Sequence, residues 1–136
     1  MNVFEEFCKN VVNLDPKIRF AGIADGDGKL EATADRNGLT PLLNAEERAQ
    51  YAITAATRQY TRLRWEYRLG KILYASSHYT KLIRATLPIA DENSRLAHVL
   101  LLSFDADADN FHHIITKKII PLVAKSMTSF LKATEK

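Results

Sequence analysis

Asp105-Ala106-Asp107-Ala108-Asp109-Asn110 is the string most suited to holding a metal. Carboxylates at every second residue of a tight turn converge their oxygens on a hard cation such as calcium. Here Asn110 stands where such a loop needs its turn glycine, and Thr116 where it needs its closing glutamate. The string therefore reads as a polar strand exit, with Asp107 or Asp109 capping a following helix, and no metal is expected. Asp25-Gly26-Asp27-Gly28 fails sooner, because Lys29 occupies the third ligand position; it reads as a hairpin turn. His112 and His113 are neighbours, so on a helix they point about 100° apart, and His78 and His98 fall on separate strands without metal-ligand spacing. Ser76-Ser77-His78 sets a hydroxyl beside an imidazole, but adjacent strand residues face opposite sides. There is no nucleophile elbow and no glycine-rich phosphate loop. The lone cysteine, Cys8, lies on an apolar helical stripe and reads as a small buried hydrophobe. Nothing here asks for catalysis or a cofactor, and the chain is expected not to be an enzyme.

The residues that do ask for an explanation are Arg48, Tyr51, Ala55, Arg58, Arg62 and Trp65, which form one stripe at helical spacing. Arginine with tyrosine and tryptophan is the composition of protein-interface hot spots. The same side chains could stack on bases and pair with phosphates, and a solvated basic face is the plain alternative. The charge around them is lopsided. Arg58, Arg62, Arg64, Arg68, Lys71, Lys81 and Arg84 are opposed over that stretch only by Glu66, within a chain of net charge +3.

The elements that position these residues follow from periodicity. Residues 2–14 form a helix with Val3, Phe4, Phe7, Cys8, Val11 and Leu14 on one stripe and Asn2 as cap, ended by Asp15-Pro16. Residues 18–24 and 29–34 make a β-hairpin around Asp25–Gly28. Asn44 and Glu47 form a capping box for a helix running to about Arg68, with Ala49, Ala52, Ile53, Ala56, Tyr60, Leu63 and Tyr67 as its inner stripe. Residues 71–78, 81–89 and 96–104 are three strands, with a polar loop at 91–95. The last strand is apolar on both faces and belongs at the sheet centre. Residues 109–133 form the final helix, with a kink or break expected at Pro121. The order α-β-β-α-β-β-β-α predicts an α+β fold, a five-stranded antiparallel sheet between helices. The second helix covers one face and the first and last helices share the other, which leaves residues 71–78 at an edge where Tyr74, Ser76 and His78 offer little protection against pairing.

A chain of 136 residues, 46% hydrophobic and 26% charged, is a single globular domain spanning 1–136 rather than a disordered segment. It holds no apolar run near the roughly 20 residues that span a bilayer. The acidic start, Met-Asn-Val-Phe-Glu-Glu, is unlike a signal peptide, so a cytoplasmic location and no membrane partner are expected.

The element order, together with Ile18-Arg-Phe-Ala-Gly-Ile-Ala-Asp25-Gly-Asp27-Gly28-Lys-Leu-Glu-Ala32, resembles the roadblock, or dynein-light-chain-like, domains, which share a profilin-like architecture. Through the stretch Tyr74–Pro88 the chain is also similar to a small archaeal group of that architecture. The resemblance implies a non-enzymatic homodimer that scaffolds or regulates a small GTPase or another protein through its sheet and crossing helix. On that reading Arg48, Tyr51, Arg58, Arg62, Trp65, Tyr74, Ser76 and His78 carry the interface. The alternative is a PAS-like sensor that binds a metabolite between sheet and helix, with Arg19, Arg84 or His98 as polar contacts. It requires a cavity of roughly 300 Å3 or more. Weak nucleic-acid binding by the basic helix comes third; its affinity would fall steeply with salt.

Overall fold

The computed structural model describes residues 2–90 and 95–134. Its elements are α1 (Val3–Val12), β1 (Ile18–Asp25), β2 (Leu30–Asp35), α2 (Ala45–Leu63), the single turn α3 (Glu66–Leu69), β3 (Ala75–His78), β4 (Leu82–Ala90), β5 (Leu96–Asp105), the turn α4 (Phe111–Ile114), a π-helical turn (Ile115–Ile119) and α5 (Ile120–Thr134). The five strands pair antiparallel in the order β2-β1-β5-β4-β3. The strand that is apolar on both faces, β5, is therefore central, and every residue from His98 to Phe104 is buried. The polar connection expected at 91–95 lies, except for Arg95, outside the described residues.

One face of the sheet carries the larger core. Asn2 caps α1 by accepting a hydrogen bond from the Glu5 amide at 2.9 Å, and Phe4, Phe7, Cys8, Val11 and Val12 turn inward. Phe130 of α5 meets them, stacked 5.5 Å from Phe4 and edge-on 4.9 Å from Phe7. Pro121 does not end the final helix. A π-helical turn occupies the five residues up to Ile119, just before it. A widened turn relieves the clash between a proline ring and the preceding carbonyls, so the chain continues into α5.

The other face is covered by α2, and here the helix is rotated from the expected phase. Its buried residues are Ala52, Ala55, Ala56 and Gln59, whereas Ile53, Tyr60 and Tyr67 are 55%, 49% and 76% exposed. Small side chains let the helix axis approach the sheet closely; the large apolar ones would hold it away. The β1–β2 turn fixes the approach. The Asp25 carboxylate accepts from the amides of Asp27 and Lys29 at 2.9 and 3.0 Å. Gly28 sits at φ +89°, and a Cβ there would come 2.5 Å from the Cα of Ile53. The Tyr60 hydroxyl donates to the Gly26 carbonyl at 3.0 Å, so a residue expected in the core clamps the hairpin instead.

The segment after α2 also departs from expectation. The helix stops at Leu63, and the short turn α3 ends on Gly70, whose φ of +87° with ψ of −179° is a backbone conformation that essentially only glycine adopts. The strand expected over 71–78 pairs only from Ala75 to His78. Continuing the register Ala75↔Thr86 by two residues would set Leu73 opposite Pro88, which has no N–H to extend a ladder.

Candidate functional site

Because α2 packs on β5 and β1, the adjoining face of β4 and β3 is left beside the helix rather than beneath it. Strand register lays one row of side chains across this face: Asp35, Phe20, Ser103, Arg84 and Ser77, one from each strand. The next row contributes Thr86 and Ala75. Gln59 is wholly buried and donates through Nε2 to Thr86 Oγ1 at 2.8 Å, which ties α2 to β4. Arg62 Nη1 reaches the same oxygen at 3.5 Å. The Arg84 guanidinium lies over the Tyr51 ring, 3.2 Å from its centroid. Tyr51, Arg58 and Arg62 on the helix thus border Ala75, Ser77 and Arg84 on the sheet.

The structure divides the residues expected to form one interface. Arg48 grips Asp35 through two hydrogen bonds of 3.1 and 2.5 Å and lies 4.5 Å over the Phe20 ring, so its charge is already neutralised. Arg58 is exposed, Arg62 half-buried, and Trp65 is 53% exposed. Tyr74, Ser76 and His78 belong to the opposite face. The Tyr74 hydroxyl is 2.5 Å from His112 Nδ1, the His78 ring meets Phe111 edge-on at 5.1 Å, and Ser76 Oγ lies 3.4 Å from His78 Nε2. The alternation of a strand is the cause: Ala75 and Ser77 face α2, and the even-numbered residues face α4. Ala75 and Ser77 were missing from the sequence-derived set, although the same alternation could have supplied them. What unites both faces is the backbone of β3, whose outer edge ends the sheet. The approach to that edge is unusually apolar at its surface, with Trp65, Tyr67, Leu69 and Leu73 53%, 76%, 82% and 58% exposed.

The three residues expected to contact a ligand are also separated. Arg19 and Arg84 line a cleft of about 330 Å3 at the end of the sheet, roofed by Leu39, Pro41, Leu42 and Leu43. His98 is on the other face, buried against the rings of Phe4 and Phe130 at 5.1 and 6.0 Å. Burial pushes its pKa below the ordinary histidine value, and its Nδ1 has no protein partner among the described residues. It is a core residue. Arg19 pairs with Asp105 at 3.3 Å, and Arg36 holds the same carboxylate through bonds of 2.9 and 3.0 Å. The Arg36 hydrogen bonds draw the Asp105 pKa down. Asp107 pairs with Lys17 at 2.9 Å. Two of the three aspartates of the possible calcium string are thus engaged by cations. The residue preceding α4 is Asn110, which makes no side-chain cap, so neither Asp107 nor Asp109 plays the capping role expected of it. Among the described residues no three His, Cys, Asp or Glu side chains converge as a metal site, and no helix is long and apolar enough to cross a membrane.

No protein-family model matches the sequence, and no curated protein matches it either. Solved structures do. A roadblock/LC7 domain from Streptomyces avermitilis superposes with a TM-score of 0.70 at 12% identity, covering 93% of this chain and 97% of that one. An MglB described with a tetrameric arrangement gives 0.73 at 13% identity, over 94% of this chain and 88% of that one. MglB from Myxococcus xanthus gives 0.65 at 13% identity, over 96% and 93%. At these identities the likeness is one of fold, and it extends over nearly the whole chain.

Proposed function

Starting from a chain with the roadblock fold, we propose that it works as a non-enzymatic homodimer in the cytoplasm and regulates or scaffolds a protein partner. The two copies pair along the outer edges of β3 and the adjoining ends of α2. The observation that carries this reading is the exposed run Trp65, Tyr67, Leu69 and Leu73 leading directly to a sheet edge that is unpaired among the described residues. Free edges and surface aromatics are each a liability in a lone chain, and a two-fold contact would bury both at once. Arg58 and Arg62 flank that contact and would orient it. The tetrameric arrangement of one structural neighbour supports self-association as a habit of the fold.

The partner class follows from the resemblance to roadblock domains: a small GTPase, bound on the composite surface of two sheets and two helices. Backbone hydrogen exchange tests the pairing itself. Amides of Ala75–His78 should gain protection as protein concentration rises, and exchange that ignores concentration would contradict an edge-to-edge dimer. The GTPase class is tested by mixing the protein with small GTPases loaded with GDP or a GTP analogue. A heavier complex with one nucleotide state supports it; no complex with either removes that class.

A further inference from the structure

The cleft at the end of the sheet has a charge imbalance that the pairing reading does not use. Its floor is the row Phe20, Ser103 and Arg84, its roof the loop carrying Leu39 and Leu42, and its mouth the β3–β4 turn at Tyr79–Lys81. Four cations line it (Arg19, Arg48, Lys81 and Arg84) against one carboxylate, Asp35. Two of the four are matched, Arg48 by Asp35 and Arg19 by Asp105, the latter outside the cleft. Arg84 is not. Among the described residues no carboxylate pairs with it, and its guanidinium lies over the Tyr51 ring.

A guanidinium cannot shed its proton in a protein, so Arg84 stays charged in a place that water solvates only in part. Burial acts against its charged form. Removing charge from water is costly unless a partner compensates, and the face of Tyr51 compensates weakly. A small cavity with mostly apolar walls and a few fixed polar groups is the usual form of a small-molecule site, and a volume of about 330 Å3 falls within the range such sites occupy. Walls of Leu39, Leu42, Leu43, Leu82 and Phe20 ask for an apolar body; Arg84 asks for a single planar anion at its end.

We infer that this cleft binds a small apolar acid, a carboxylate with an aliphatic or aromatic body, whose anionic end pairs with Arg84 while its body lies under the Leu39–Leu43 loop. The loop leads straight into the capping box of α2, where Asn44 and Glu47 exchange hydrogen bonds. Occupancy therefore bears on the start of the same helix whose far end is placed at the proposed dimer contact.

The test uses octanoate as probe and 1-octanol as its neutral counterpart, at matched millimolar concentration, on the intact protein. With octanoate, amide resonances of Phe20, Ser103 and Leu42 and the Arg84 side chain should shift in NMR spectra, and the melting temperature should rise. Octanol should do markedly less. In Arg84→Gln, octanoate affinity should fall about tenfold or more, as loss of a charge-assisted pair requires. Equal shifts by octanol and octanoate, or shifts centred on Ile53 and Trp65 instead of the cleft, would overturn the inference. So would an Arg84→Gln variant that binds octanoate unchanged. The wild-type comparison of acid with alcohol decides the matter even if that variant does not fold. A monomeric protein would sink the pairing proposal and leave this result standing, so the two fail separately.

Discussion

Replacing Thr86 by valine should damage this protein more than the shape of the change suggests. The hydroxyl is the partner of Gln59 Nε2, at 2.8 Å, and Gln59 is wholly buried with its Oε1 unpartnered among the described residues. Valine keeps the volume and leaves a whole carboxamide without a protein hydrogen bond, which costs about 1–3 kcal/mol. Gln59→Leu removes the carboxamide itself. Thr86 Oγ1 then keeps only the 3.5 Å contact with Arg62, and the cost should be nearer 0.5–1.5 kcal/mol, about that of one net hydrogen bond. The double variant puts apolar on apolar and should lie close to wild type. The singles are therefore non-additive: their separate costs total about 1.5–4.5 kcal/mol, and the coupling should be of that size. For a domain of this size each kcal/mol moves the melting temperature by about 3–4 °C. Urea unfolding of the four proteins, with midpoints compared at constant slope, measures the cycle. Additive singles, or a harmless Thr86→Val, would show that this bond does not hold α2 against β4, and the placement of Arg58 and Arg62 beside β3 would lose its support.

Three further outcomes follow from the geometry. Gly28 and Gly38 both sit at positive φ, but only at Gly28 would a Cβ meet the α2 backbone. Gly38→Ala should therefore cost about 1 kcal/mol from backbone strain alone, and Gly28→Ala several times that, read as urea midpoints; equal costs would refute the close docking of hairpin and helix. His98 has a folded pKa below its unfolded value, so its unfolded form binds protons first. Its contribution is intact above about pH 6.5 and is lost as pH falls from there towards the folded pKa, at no more than about 1.4 kcal/mol per pH unit. His98→Phe should flatten stability between about pH 7 and pH 5.5, and an unchanged slope would assign the acid sensitivity elsewhere. Cys8 is fully buried with its thiol pushed up to about 12, so iodoacetamide should modify it only on unfolding; rapid labelling of the folded protein would show that α1 opens locally.

The sheet was legible because its signals are local. The Asp25–Gly28 turn, the two-sided apolar run 96–104 and the Asn44/Glu47 box each specify their element without help from the rest of the chain. The phase of α2 was not legible. An apolar stripe through Ile53 and Tyr60 and a small-residue stripe through Ala52, Ala55 and Ala56 lie side by side on the helix. Hydrophobicity favours the first; the close approach fixed by Gly28 selects the second. Gln59 could not be read as buried, because its partner Thr86 is 27 residues away. Nor could the side of His98 be read, since β5 is apolar in both directions and carries no alternation to betray its faces. Arg19 and Arg84 stand out in the sequence because each is a cation inside an apolar strand, and both line the cleft. The cleft that joins them depends on the 36–44 loop, for which periodicity has nothing to say.

The pairing at the heart of the account is tested most directly by the solution mass from light scattering, for wild type and for the Arg62→Glu/Trp65→Ala double variant. A wild-type mass of twice 15.4 kDa at tens of micromolar, falling to the single value in a folded variant, is the predicted result. A folded wild type that remains a monomer at that concentration would contradict it.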